Sequence, residues 1–142
     1  MSDVTSVMSS NPGCCKTTTP LRDVAQLMID HDCGMIPVVD EAGKPIGAVT
    51  DRDIAIRIVA RGMDANACTA GDAMTSPVRT ISTDTTLYDA TCVMEAEKIR
   101  RVIVVDQDGK LAGVAALADL ALSGKDEATA QVVKEVSQPG RA

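Results

Sequence analysis

Residues 21–53 and 87–119 carry one pattern twice, about 66 positions apart and with no gap between the copies. The first copy reads Leu21, Asp23, Met28, Val38-Val39-Asp40, Gly43-Lys44, Gly47, Asp53. The second reads Leu87, Asp89, Met94, Val104-Val105-Asp106, Gly109-Lys110, Gly113, Asp119. Self-similarity at a fixed period constrains the fold strongly, because both copies should take the same local structure. Two copies are too few for a solenoid, and a unit of roughly 65 residues is marginal for a core of its own. The chain has 142 residues, one domain's worth. The expectation is therefore a single pseudo-symmetric module with a cleft between its halves, a natural place for a ligand.

Each copy reads β-α-β-β-α, an α/β (α+β) arrangement. In the first, Gly13–Thr17 is a strand candidate. Thr19-Pro20 then looks like a helix start, with Thr as cap and Pro at the first helical position. Apolar residues at helical spacing run to about His31, and Gly34 marks the exit. Met35–Val39 and Pro45–Val49 flank the turn residues Asp40-Glu41-Ala42-Gly43, which predicts a hairpin. A helix from Thr50 or Asp51 to about Arg61 follows. Ala73-Met74-Thr75 mirrors Val7-Met8-Ser9, and Val78–Ile81 is the next strand. Thr85 or Asp84 should cap the helix that ends at Lys98. Arg101–Val105 and Leu111–Ala115 form the second hairpin, and Ala116–Leu122 the last helix. The expected layout is a first repeat over 4–62, a linker over 63–72, a second repeat over 73–122, and a tail over 123–142 with a short helix at 126–136.

Composition narrows the function classes. The formal net charge is −6, which repels nucleic acid and anionic membranes at long range. Tyr88 is the single aromatic residue, so there is no platform for stacking bases, and the core must be aliphatic and sulfur-rich. No apolar run approaches the roughly 20 residues of a membrane span. No basic stretch followed by an apolar one opens the sequence, so no signal peptide is expected and the expected compartment is the cytoplasm. Five cysteines, Cys14, Cys15, Cys33, Cys68 and Cys92, argue against a disulfide framework by their odd number. The one histidine, His31, with Cys33 and Cys14 or Cys15, matches no standard closed zinc site. The thiols read instead as small buried or half-buried groups, with Cys14 and Cys15 on opposite faces of their segment.

Two places could carry chemistry. At Gly47-Ala48-Val49-Thr50-Asp51-Arg52-Asp53 a strand ends, a hydroxyl follows and a helix begins. A helix start presents unpaired N–H groups to a phosphate, and Asp53, one turn on, could accept hydrogen bonds from a ribose diol. Taken alone, the same pattern is more economically a helix cap with a favourable first-turn acid. The second place is Lys98-Ile99-Arg100-Arg101, just before an apolar strand. Adjacent arginines there point to different faces, and a guanidinium makes bidentate contacts to phosphate. The pair is equally a basic helix end complementing the dipole.

The doubled β-α-β-β-α pattern, the Val-Val-Asp-x-x-Gly-Lys hairpin and the Gly-x-x-Thr-x-x-Asp junction resemble the CBS domain, and two in tandem resemble a CBS pair, or Bateman module. The resemblance covers roughly residues 4–122. Residues 50–54, 62–64 and 69–71 also resemble stand-alone bacterial CBS-pair proteins of the hypoxic-response type. It implies a regulatory module binding AMP, ADP, ATP or S-adenosylmethionine between the repeats, commonly as a homodimer. It also implies that Thr50 lies near phosphate and that Asp53 takes the ribose hydroxyls. In the second repeat Asp119 matches, but Ala116 replaces the hydroxyl. Arg100 and Arg101 match the family's basic positions, whereas Gly34 and Met35 in the first repeat are neutral. A single site using Thr50, Asp53 and one of the two arginines is expected.

Two other functions compete with a nucleotide sensor: a protein-interaction dimer that docks on an unknown partner, and a cysteine-based redox or metal sensor. An enzyme is not expected, because no serine or cysteine has an evident base and no Walker-type phosphate loop is present. No obligatory cofactor or resident metal is expected.

Overall fold

A turn-forming acid and a left-handed glycine close the first hairpin. Asp40 Oδ1 accepts from the N–H groups of Ala42 and Lys44, each at 2.9 Å. These bonds, with the nearby lysines, hold its carboxyl below the ordinary carboxylate range. Gly43 follows at φ +84, where a side chain would be strained. The hairpin so closed joins β2 (Met35–Val39) to β3 (Pro45–Thr50), antiparallel with Met35 opposite Thr50 and a register shift between Val38 and Val39.

The structure, a computed structural model, describes residues 2–123; the short helix expected over 126–136 lies outside them. The described chain divides into two packing units. One comprises residues 12–78 with 109–111. The other comprises residues 2–11, 79–108 and 112–123. Besides the hairpin, the first unit contains α1 (Leu21–Asp30), α2 (Asp51–Asp53, continued by a π-helical stretch, Ile54–Val59) and the short α3 (Ala70–Ala73). The second contains β1 (Ser9–Ser10), β4 (Thr80–Ser82), α4 (Leu87–Glu97), β5 (Arg101–Val105), β6 (Leu111–Ala116, its first residue shared with the other unit) and α5 (Leu117–Ser123). The fold is mixed α and β, as the repeat predicts.

One sheet has four strands and the other two, with isolated bridges at the edges of the smaller one that match the pairing in the larger. In the second unit the order is β1-β6-β5-β4, with β4 parallel to β5 and β1 antiparallel to β6. In the first unit, single bridges stand at the edges of the hairpin: Cys15 pairs parallel with Val38, and Thr75 antiparallel with Ala48. The strand expected over Gly13–Thr17 is thus one residue long. Cys15 makes both of its backbone bonds, to Pro37 O and Val39 N, and Thr19 N–H then closes a turn on Lys16 O. The strand expected over Val78–Ile81 starts two residues later, at Thr80.

A close approach shapes the far edge of each sheet. Residues 73–75 cross Gly47, and residues 7–9 cross Gly113. A Cβ on Gly47 would lie 2.8 Å from Met74 Sδ, and one on Gly113 2.7 Å from Met8 Sδ. The crossing backbone is as close, with Thr75 O 2.9 Å from the first such Cβ and Ser9 O 2.7 Å from the second, so only glycine leaves room for it.

The cores are aliphatic and sulfur-containing. Leu21, Val24, Ile36, Val38, Val49 and Ile58 pack with Cys15 and Cys68 in one unit. Val4, Met94, Val102, Val104, Leu117 and Leu120 pack in the other. Each fully buried aliphatic side chain contributes about 1.5–3 kcal/mol of transfer free energy.

Helix caps depart from expectation by one residue. Pro20, not Thr19, is the N-cap of α1; Thr19 Oγ1 instead accepts from Lys16 N–H at 2.9 Å, and the Leu21 N–H is satisfied by Cys68 O. Thr86, not Thr85 or Asp84, caps α4 by accepting from Asp89 N–H at 3.1 Å. Thr85 and Asp84 instead make side-chain hydrogen bonds to Ser82 Oγ. Part of the expected linker is ordered, with a 3-10 turn (Ala65–Ala67) and α3.

Candidate functional site

The strand–helix junction at Thr50 folds locally as a capping box. Thr50 Oγ1 accepts from Asp53 N–H at 3.0 Å, and Asp53 Oδ2 accepts from Thr50 N–H at 3.0 Å. Each residue thereby satisfies a backbone donor that a helix start leaves open. Asp53 is 7% exposed. Its second oxygen, Oδ1, accepts from the Thr75 hydroxyl at 3.2 Å and faces Arg57 Nε at 3.6 Å. Arg57 spans the same spot, with Nη1 3.4 Å from Met74 O and Nη2 3.4 Å from Thr75 Oγ1. A buried carboxylate needs such partners. Roughly four acceptor positions surround an ionised carboxylate, and the hydrogen bonds described occupy two of them. Arg57 and Thr75 were not among the residues that sequence reasoning singled out. The i, i+4 spacing of Asp53 and Arg57 was a signal for the first; Thr75 lies too far along the chain for any local pattern.

The second repeat places its candidates in the other unit. Arg100 and Arg101 are both exposed, and the buried positions of the strand that follows go to Val102, Ile103 and Val104. Asp119 is half-buried. The Leu117 N–H donates to Arg100 O at 2.7 Å, which sets the start of α5 beside the arginine pair. The first repeat repeats this bond, Asp51 N–H to Gly34 O at 3.0 Å. Each helix start therefore adjoins the residue before the repeat's hairpin, and that residue carries a charge only in the second repeat.

The cysteines are all free. Cys15 and Cys68 are buried, Cys33 and Cys92 half-buried, and Cys14 exposed, so Cys14 and Cys15 differ in burial as their opposite faces predict, while Cys14 is more open than the expected buried or half-buried thiol. Burial, then the neighbouring Cys14, pushes the Cys15 thiol up to about 11. Among the described residues no group of three or more His, Cys, Asp or Glu side chains is placed to hold a metal ion. Nor is any helix among them long and apolar enough to cross a membrane.

Paired hairpins, matching helix starts and matching edge pairings define a tandem-repeat module. The CBS domain family model matches residues 3–60 and 70–123. The chain belongs to the CBS domain family, with two domains in tandem. It is 30% identical over 139 residues to hypoxic response protein 1 of Mycobacterium tuberculosis, covering 98% of this chain and 96% of that one. A further relative, the uncharacterized protein MK0525 of Methanopyrus kandleri, is 35% identical over 98 residues, 69% of this chain and 50% of that protein. The crystal structure of Hypoxic Response Protein I with two coordinated zinc ions superposes with a TM-score of 0.77 at 29% identity, covering 87% of this chain and all of that one. The CBS domain pair of protein MJ0100, in complex with 5′-methylthioadenosine and S-adenosyl-L-methionine, gives 0.75 at 27% identity, with 86% and 94% covered.

Proposed function

We propose that this chain is a non-enzymatic regulatory module that binds an adenosyl ligand: AMP, ADP, ATP or S-adenosylmethionine. Thr50 and Asp53 form the ribose and near-phosphate part of the site, an arginine of the Arg100–Arg101 pair takes the phosphate, and Asp119 is the second-repeat counterpart of Asp53. The observation that carries the reading is the buried Asp53 carboxylate, fixed at a strand–helix junction behind Thr50 with acceptor positions to spare. The adenosyl ligands of the MJ0100 domain pair support the same class. The module acts in the cytoplasm as a homodimer, with the exposed Ile56 and Val59 of the α2 stretch as its contact face, and signals to an unidentified protein partner.

Calorimetric titration of AMP, ADP, ATP and S-adenosylmethionine into nucleotide-free protein tests this. One ligand per chain should bind saturably. Asp53→Ala should weaken it by about 1.5–3 kcal/mol, the scale of hydrogen bonds to a charged group, or roughly tenfold to a hundredfold in dissociation constant. Unchanged affinity in that variant removes Asp53 from the site. Silence from all four ligands reduces Thr50 and Asp53 to a helix cap.

A further inference from the structure

The Asp53 carboxylate does not stand alone at its junction. Its Oδ1 is held from outside its own helix start by the Thr75 hydroxyl, 22 residues further on, and faces the Arg57 guanidinium, one helical turn away. Arg57 in turn reaches Met74 O and Thr75 Oγ1, so three side chains and one carbonyl close a small ring. Thr75 is fixed in the ring by its backbone as well: its N–H and C=O pair with Ala48 at 2.8 and 3.0 Å. The position of Thr75 is therefore set by the sheet and not by the carboxylate it meets.

The repeat gives an internal comparison. One period away, the equivalents of Thr50, Asp53, Arg57 and Thr75 are Ala116, Asp119, Ser123 and Ser9. The second copy keeps the acid and has no arginine at the Arg57 position. A ring that served only to cap a helix would have no need to differ between two copies of one fold. Asp53 needs a fixed orientation if it is to meet both hydroxyls of a diol at once, because a carboxylate free to rotate loses one of the two bonds.

Resting on the adenosyl-binding reading above, we infer that Arg57 and Thr75 are positioning residues that aim the Asp53 carboxylate at a ribose diol and so set the preference for ribose over deoxyribose. Neither needs to touch the ligand. Thr75 supplies the directional hydrogen bond, and Arg57 anchors Thr75 while offsetting the buried charge.

The test titrates AMP and 2′-deoxy-AMP into wild type, Thr75→Val, Thr75→Ser, Arg57→Gln and Asp53→Ala. Wild type should favour AMP. Thr75→Val and Arg57→Gln should each weaken AMP by about three- to tenfold, the scale of one hydrogen bond, while changing 2′-deoxy-AMP less, so that the ratio narrows. Thr75→Ser keeps the hydroxyl and should restore the ratio. Equal weakening of both ligands would mean a merely structural role and overturn the inference, as would unchanged AMP affinity in both variants. A wild type that ignores AMP, or an Asp53→Ala variant that binds it like wild type, overturns the inference alone; silence from ADP, ATP and S-adenosylmethionine as well means that the adenosyl reading itself fails. Thr75 is exposed and Arg57 half-exposed, and thermal melts of both variants separate lost binding from lost folding.

Discussion

Gly47→Ala is the sharpest test of how the sheet edge is built. The new methyl would lie 2.8 Å from Met74 Sδ, 2.9 Å from Thr75 O and 3.4 Å from Met74 Cγ. The sulfur is the flexible part and can swing aside. The Thr75 oxygen cannot, because it accepts the Ala48 N–H at 3.0 Å and the Thr75 N–H donates back to Ala48 O at 2.8 Å. Relief requires the 73–75 segment to lift off β3, loosening two hydrogen bonds worth about 1 kcal/mol each. Overpacking of this kind costs about 1–3 kcal/mol, and the stiffer unfolded chain returns about 0.4–1 kcal/mol. A net loss of about 1–2 kcal/mol should lower the melting temperature by roughly 3–8 °C for a chain of this size. Urea titration followed by circular dichroism measures it. Gly62→Ala is the comparator: nothing lies within 4 Å of its Cβ, so its cost arises from φ +70 alone. Adding Met74→Ala to Gly47→Ala should not restore stability, since the oxygen contact persists. A Gly47→Ala protein as stable as wild type would refute the claim that the backbone oxygen is fixed.

Three further outcomes concern the caps and thiols. Thr86→Ala should cost about 1 kcal/mol in a urea titration, and Thr85→Ala less; the reverse order would restore Thr85 as the cap. Cys15 has a thiol raised from 9.0 to about 11 in the folded state, so its contribution to stability is intact below pH 9 and is lost as pH rises towards 11. A Cys15→Ala variant should show a flatter alkaline limb between those values, and Cys14 should react with a thiol reagent well before Cys15. Equal reaction rates for the two would contradict the burial described.

Much of the fold was legible because repetition and local chemistry coincide. The two hairpins were readable from Val-Val-Asp-x-x-Gly-Lys, where turn residues sit between apolar runs. The helix starts were readable to within a residue, and the errors have one cause. Runs such as Thr17-Thr18-Thr19 and Asp84-Thr85-Thr86 offer several side chains able to cap, and turn partners three residues upstream choose among them: Lys16 N–H claims Thr19, and Ser82 pairs with Thr85. A cap at Thr50 or Asp51 and a first-turn acid at Asp53 were foreseen, but not the bond from Thr50 N–H to Asp53 that makes the junction a capping box. The ring around it was not, because Thr75 meets it through a backbone pairing that leaves no periodic trace. The exposure of both arginines follows from their place ahead of the buried run Val102, Ile103 and Val104.

The edge pairing of β1 also has a consequence for synthesis. Ser9 pairs with Val114, so the ribosome makes one partner roughly a hundred residues before the other, a long loop to close. By contrast, Thr75 finds Ala48 within a few dozen residues. The first sheet can gain its edge while the chain is still emerging, whereas the segment around Met8 must wait, its methionine uncovered, until Gly113 is out. The late step in assembly is therefore the return of residues 2–11, a segment that a nascent-chain chaperone would meet in the open.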